Sequence, residues 1–197
     1  SQCLGQEVNM AADNRRNSKR GIHEYTVQEA LNLALPRLVE VDLVTTDADM
    51  ASEDVAFNWT KLEYVSLVPG KAVELISPTI FDPTDAGARI EVFFCRGSGD
   101  DGTAPTAAQR LGAIDAVIDI TDGEATAIGM CGRADLSETH AEGLAGTGTI
   151  LKGDASFESL VMAPAINSTH LYIAGVWRGN PDDTDGTSMT GYFGFRG

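Results

Sequence analysis

T-H-L-Y-I-A-G-V-W-R at residues 169–178 and M-T-G-Y-F-G-F-R at 189–196 decide the fold class. Both stretches are rich in aromatic and β-branched residues and have the length of a strand. An acidic loop from Asn180 to Ser188 separates them. Gly191 and Gly194 sit between the aromatics of the second stretch, where glycine marks a bulge or a close backbone approach. This reads as a bulged edge strand, or as an edge that another chain contacts.

Upstream the period is also two. Val39, Val41 and Leu43 alternate with Glu40 and Asp42, a half-buried strand. Residues 46–54 form an acidic loop. Residues 61–68 and 71–77 read as strands around Pro69-Gly70, a type II turn pair. Residues 89–96 place Ile90, Val92 and Phe94 on one face, and 97–106 is a loop by composition. Residues 111–121 and 124–131 read as a hairpin turned by Asp122-Gly123, with Ile114, Ala116, Ile118 and Ile120 on one face. Residues 132–148 are Gly-, Ala- and Glu-rich and read as irregular, and 149–152 and 157–162 complete the set. About ten short strands with regular turn signals predict an all-β, Greek-key or jelly-roll-like β-sandwich.

The 197 residues suit one such domain, and the 21 glycines suit its turns. Residues 1–24 differ from the rest. They lack periodicity and read as an extended arm before a domain at 25–197. Thr26-Val27-Gln28-Glu29 fits a capping box opening a short helix that Pro36 limits. The arm carries Arg15, Arg16, Lys19 and Arg20 and a local charge of +1, whereas residues 25–197 carry −16. An acidic body argues against nucleic acid and anionic membrane as partners. The basic cluster is expected to dock on an acidic neighbour such as another copy, its aliphatic stems adding packing. The polar N-terminus has no apolar signal-peptide core, and no run approaches a bilayer span. Three cysteines without C-x-x-C spacing suggest no disulfide scaffold, so a chain made in a reducing cytoplasm is expected.

Candidate chemistry is sparse. Cys95 and Cys131 fall in predicted strands and are expected as buried thiols, with a disulfide between them left open. Glu138, His140 and Glu142 alternate and would share a face if extended. Asp182, Asp183 and Asp185 before Gly186 are weak calcium candidates that miss the EF-hand template at its first and twelfth positions. Asp115 and Asp119 lie roughly 13 Å apart on one strand, too far for a glycosidase pair. Neither a G-x-S-x-G elbow nor a P-loop occurs. No cofactor and no enzymatic activity are expected.

The arm, the short capped helix and the Gly-rich sandwich resemble the decoration or cement proteins of tailed bacteriophages, as do the endings L-Y-I-A-G-V-W-R (171–178) and T-G-Y-F-G-F-R-G (190–197). The resemblance implies a virion structural protein, a homo-oligomer that clamps a major capsid protein. It also implies that Trp177, Tyr192, Phe193 and Phe195 divide between core and interface. Tyr192 is opposite in phase to Phe193, so one of the two faces away from the core. The alternatives are a head–tail connector, tail or baseplate component and, in a different class, a calcium-dependent carbohydrate-binding module.

Overall fold

The structure, a computed structural model, describes residues 35–45, 51–83, 89–138, 148–153, 159–179 and 188–197. The arm, the capping box at 26–29, His140, Glu142 and the 182–185 aspartates lie outside the described residues.

Nine strands are described: β1 (Arg37–Leu43), β2 (Val55–Leu62), β3 (Val73–Asp82), β4 (Ile90–Cys95), β5 (Met130–Glu138), β6 (Thr149–Gly153), β7 (Leu160–Met162), β8 (Leu171–Trp177) and β9 (Met189–Arg196). One short helix, α1 (Asp122–Ala127), and one 3-10 turn (Ala107–Gln109) accompany them. Every pairing between these strands is antiparallel, in the order β1-β9-β3-β6-β5-β4-β8-β2, with β7 added beside β3. The order is nested: β4 pairs β5, β3 pairs β6, β2 pairs β8 and β1 pairs β9. A long antiparallel hairpin rolled on itself produces this nesting, which is the jelly roll. The chain is therefore all-β, a jelly-roll sandwich.

The two halves, β1-β9-β3-β6 and β5-β4-β8-β2, face each other across the main core. Phe94 of β4 meets Phe193 of β9 edge to face with ring centroids 6.1 Å apart, although three strands separate β4 from β9 in the sheet order. Phe57, Leu75, Ile80, Ile90, Val92, Leu136, Leu151, Ile173 and Phe195 fill the same cluster, drawn from both halves. Each such side chain contributes about 1.5–3 kcal/mol by leaving water.

Alternation explains which positions are buried. β1 is open on one face, with Leu38, Glu40 and Asp42 outward and Val39 and Val41 packed on the core. β8 is buried at all seven positions, so its outer face is covered as well.

Three expectations need correction. Residues 111–121 and 124–131 do not form a hairpin. Thr121 caps α1 instead: its hydroxyl accepts from the Glu124 amide, and the Glu124 carboxylate accepts from the Thr121 amide at 2.9 Å. The T-x-x-E capping box wins over the Asp-Gly turn. Asp115 sits at φ +64°, which breaks the strand geometry expected there. Residues 132–138, read as irregular, continue β5 because they pair with β4 and β6. The bulge expected in the last strand lies on its partner, between Leu75 and Ser77 of β3.

Candidate assembly surfaces

The outer face of β4, β8 and β2 is covered by the segment joining β4 to β5. Leu111, Ile118 and Ile120 pack over Val55, Phe93, Ala174 and Val176. Ile128 joins Cys95 and Tyr172 in a second small cluster. Hydrogen bonds fasten the segment. Asn58 Nδ2 donates to the Gly112 carbonyl at 3.0 Å, and the Leu111 amide donates back to Asn58 Oδ1 at 3.2 Å. Trp59 Nε1 donates to the Gln109 carbonyl at 2.8 Å. The Val55 amide donates to Ala116 at 2.9 Å, so the same segment also caps the free edge of β2.

On this face Glu91 is buried and takes two arginines. Arg178 Nε donates to its Oε2 at 2.7 Å, with Arg178 Nη2 on the same oxygen, and Arg133 Nη1 lies 2.9 Å from its Oε1. A buried carboxylate is tolerated because both oxygens are satisfied. Arg89 and Asp135 pair alongside at 2.6 Å.

At one end of the roll, the loop after β4 is pinned to the loop before β8. Gly102, at φ +64°, approaches so closely that a Cβ there would lie 3.1 Å from the Ser168 side chain. Its carbonyl accepts from Tyr172 Oη at 3.0 Å and faces His170 Nε2 at 2.9 Å. Burial raises the Tyr172 pKa, with Cys95 adding to the shift. Asn167 Nδ2 donates to Asp101 at 2.9 Å. Ser168 Oγ lies 2.9 Å from His170 Nδ1, the pairing of a nucleophilic hydrolase. Ser168 is buried and accepts from the His170 amide at 3.1 Å, while the other ring nitrogen faces a carbonyl where a triad needs a carboxylate.

Among the described residues, one surface cavity, of about 410 Å³, is lined by Arg110, Asp119, Thr121 and Glu124. Another, of about 340 Å³, is lined by Arg96, Met130, Cys131 and Met162. Cys95 and Cys131 are both free thiols, and they pack in different clusters, so the disulfide left open by the sequence is not formed. Burial pushes Cys131 up to about 11 and Cys95 up to about 12, which suppresses thiolate chemistry. Among the described residues, no group of three or more His, Cys, Asp or Glu side chains is arranged to hold a metal.

The outer face of β1-β9-β3-β6 is different. Register places Leu38 opposite Gly194, Tyr192 between Glu40 and Thr79, and Phe81 between Thr190 and Ile150. Leu38, Tyr192, Phe81 and Ile150 therefore form a diagonal apolar stripe across four strands. Leu38 is 70% exposed and the other three are half-buried. Glu40 and Asp42 flank the stripe and are exposed. Below it Glu74 pairs with Arg196 at 2.6 Å. The Ser159 hydroxyl and then Arg196 hold the Glu74 carboxyl below its ordinary range.

The residues singled out by sequence are placed as follows. Arg15, Arg16, Lys19 and Arg20 lie outside the described residues, as do Asp182, Asp183 and Asp185. Trp177, Phe193 and Phe195 are core residues, while Tyr192 faces away from the core on the open face. The stripe partners Leu38, Phe81 and Ile150 and the Glu91 network were not anticipated. Each depends on strand register, which single-sequence alternation does not specify.

No protein-family model matches this chain, and no curated protein matches it. Among solved structures it is similar to a chain of the native virion of Kashmir bee virus at neutral pH. The two are 12% identical, the likeness covers 100% of this chain and 80% of that one, and the TM-score is 0.34. A likeness of that size carries no argument, so the jelly roll is assigned here from the strand order alone.

Proposed function

We propose that this chain is a non-enzymatic structural protein of a virus particle. The observation that carries the reading is the uneven covering of the roll: the chain's own β4–β5 segment covers one outer face over β4, β8 and β2, and the other outer face presents an apolar stripe beside an edge strand. A jelly roll is shared by capsid proteins, lectins and cupins, so the fold alone does not choose among them. An open sheet face bordered by an edge is what lateral packing of subunits uses. The Ser168–His170 pair is buried and committed to holding a loop, which argues against a hydrolase.

Within this class the chain decorates or cements a capsid lattice. Its partners are other copies of itself and a major capsid protein, and its location is the virion after synthesis in the host cytoplasm. The arm at 1–24, with Arg15, Arg16, Lys19 and Arg20, reaches the acidic body of a neighbour. A carbohydrate-binding module would need an exposed aromatic platform beside the 180–188 loop. Of the aromatics flanking that loop in sequence, Trp177, Phe193 and Phe195 are buried and Tyr192 is half-buried within the stripe on the other outer face.

Light scattering on the purified chain, with and without residues 1–20, tests the proposal. The expected result is an oligomer that dissociates when the arm is removed while its β-rich circular dichroism persists. A monomer in both cases at every concentration overturns self-assembly through the arm.

A further inference from the structure

We propose that the outer face of β1-β9-β3-β6 is the dock for residues 1–24 of a neighbouring copy, an inference that rests on the self-assembly proposed above.

The face calls for a cover of mixed character. Its apolar stripe, Leu38–Tyr192–Phe81–Ile150, crosses three strand spacings and about four residues of strand length, a path of roughly 20 Å. Beside it Glu40 and Asp42 form no ion pair with any described residue. A ligand that fits must be apolar along one part and cationic next to it. Residues 1–24 have that composition. Leu4, Val8 and Met10 precede Arg15, Arg16, Lys19 and Arg20, and the arm is the one basic stretch of a chain whose remainder carries −16.

Charge favours a neighbouring copy. The sixteen residues from Gly21 to Pro36 join the basic cluster to β1, and with the short helix that the sequence predicts there they span up to about 35 Å. Two bodies of −16 repel each other, so association needs positive charge at the contact. An arm laid across Glu40 and Asp42 of the adjacent copy supplies it, and steers the encounter as well. Over β4, β8 and β2 the opposite outer face is already occupied by the β4–β5 segment.

The test is a charge swap in the full chain, read by sedimentation and light scattering over a concentration series. One variant carries Glu40→Lys and Asp42→Lys; the other carries Arg15→Glu and Arg16→Glu. Each alone is expected to weaken assembly at least about tenfold. Mixed in equal amounts, each variant's arm meets a complementary face on the other, and assembly is expected to return. Unchanged assembly of the face variant overturns the dock while leaving self-assembly intact. Weakening by both variants without recovery on mixing also overturns it, since the arm then contacts its own copy or another surface. A wild-type chain that never assembles removes the underlying reading and the dock with it. Glu40 and Asp42 are exposed, so an unchanged melting curve is expected for the face variant and excludes misfolding as the cause of lost assembly. Leu38→Ser, at a position 70% exposed, gives a second reading of the same face without touching charge, and is expected to weaken assembly in the same way.

Discussion

Gly175 of β8 lies directly opposite Phe57 of β2, and the Phe57 ring occupies the space that a Cβ at position 175 would need. The pair joins the outermost strand of its half-sheet to β8, and Phe57 is fully buried in the main core. Gly175→Ala is therefore an overpacking change and should cost about 1–3 kcal/mol. Phe57→Ala empties the same site and should cost about 3–5 kcal/mol. Urea unfolding measures both. A Gly175→Ala midpoint equal to wild type would mean that the ring moves aside freely.

The Glu91 network separates a buried charge from an exposed one. Glu91 lies between Arg178, whose side chain is 29% exposed, and Arg133, which is 71% exposed. Glu91→Ala strands both guanidinium groups, and because each keeps some solvent the expected loss is about 2 kcal/mol, below that of a fully buried pair. Arg133→Ala should cost less than about 1 kcal/mol, as exposed pairs do. Equal losses from the two substitutions would show that burial does not control this network.

The cysteines set an alkaline limit. Desolvation lifts Cys95 to about 12 and Cys131 to about 11 from an ordinary 9.0. Between the ordinary value and these raised ones the native state keeps protons that the unfolded state releases. Stability then falls as pH rises through that window. In a Cys3→Ser background, iodoacetamide at pH 8 should leave the native chain nearly unlabelled and modify both thiols in urea. Rapid native labelling at Cys131 would show that the 340 Å³ cavity beside it admits the reagent and a reactive thiolate.

Two carboxylates shape the acid limb. The Thr121 amide and then its hydroxyl hold Glu124 below its ordinary range, and the Ser159 hydroxyl and then Arg196 do the same for Glu74. Each depressed value stabilises the native state above the unfolded pKa of about 4.3. That contribution disappears as pH falls through the folded value. The doubly substituted Glu74→Gln, Glu124→Gln chain should show a shallower loss of melting temperature below about pH 4. An acid limb identical to wild type would assign it to other groups.

Tyr172 tests the loop clamp. Its hydroxyl donates to Gly102 and its ring lies edge-on to His170, with centroids 5.3 Å apart. Tyr172→Phe keeps the ring and removes the bond, for a loss of about 1 kcal/mol. Hydrogen exchange should quicken at Ser98 and Thr103, whose amides hold the loop's own small ladder. Unchanged exchange there would show that the other bonds suffice.

Alternation carried most of the fold. Val39, Val41 and Leu43 were read as inward and pack on the core, as do Ile90, Val92 and Phe94. The last two strands were read nearly to their ends, because fully or half-buried aromatic runs have few other conformations available. The failures share a cause. Residues 114–120 alternate like a strand, yet the β4–β5 segment uses their isoleucines singly to cover a sheet that already exists. At Thr121 two local signals overlapped, and the capping box prevailed over Asp-Gly. The opposite phase of Tyr192 and Phe193 left open which ring points outward; Phe193 is in the core and Tyr192 is on the outer face. The stripe it belongs to could not be read, because its members come from β1, β3, β6 and β9 and meet only through pairing across the whole chain.

Nesting of the strands has a consequence for synthesis. Among the described strands β1 pairs only with β9, roughly 150 residues downstream, and β9 also supplies the central contact with β3. Until Met189–Arg196 leaves the ribosome, Arg37–Leu43 has an empty side and Leu75 and Ile80 have no neighbour on that flank. Contacts so distant in sequence make folding slow, and the nascent chain spends that interval with open strand edges. A chaperone that shields β1 and β3 during translation, and lets go when the final strand arrives, would govern how much of this protein reaches its native state.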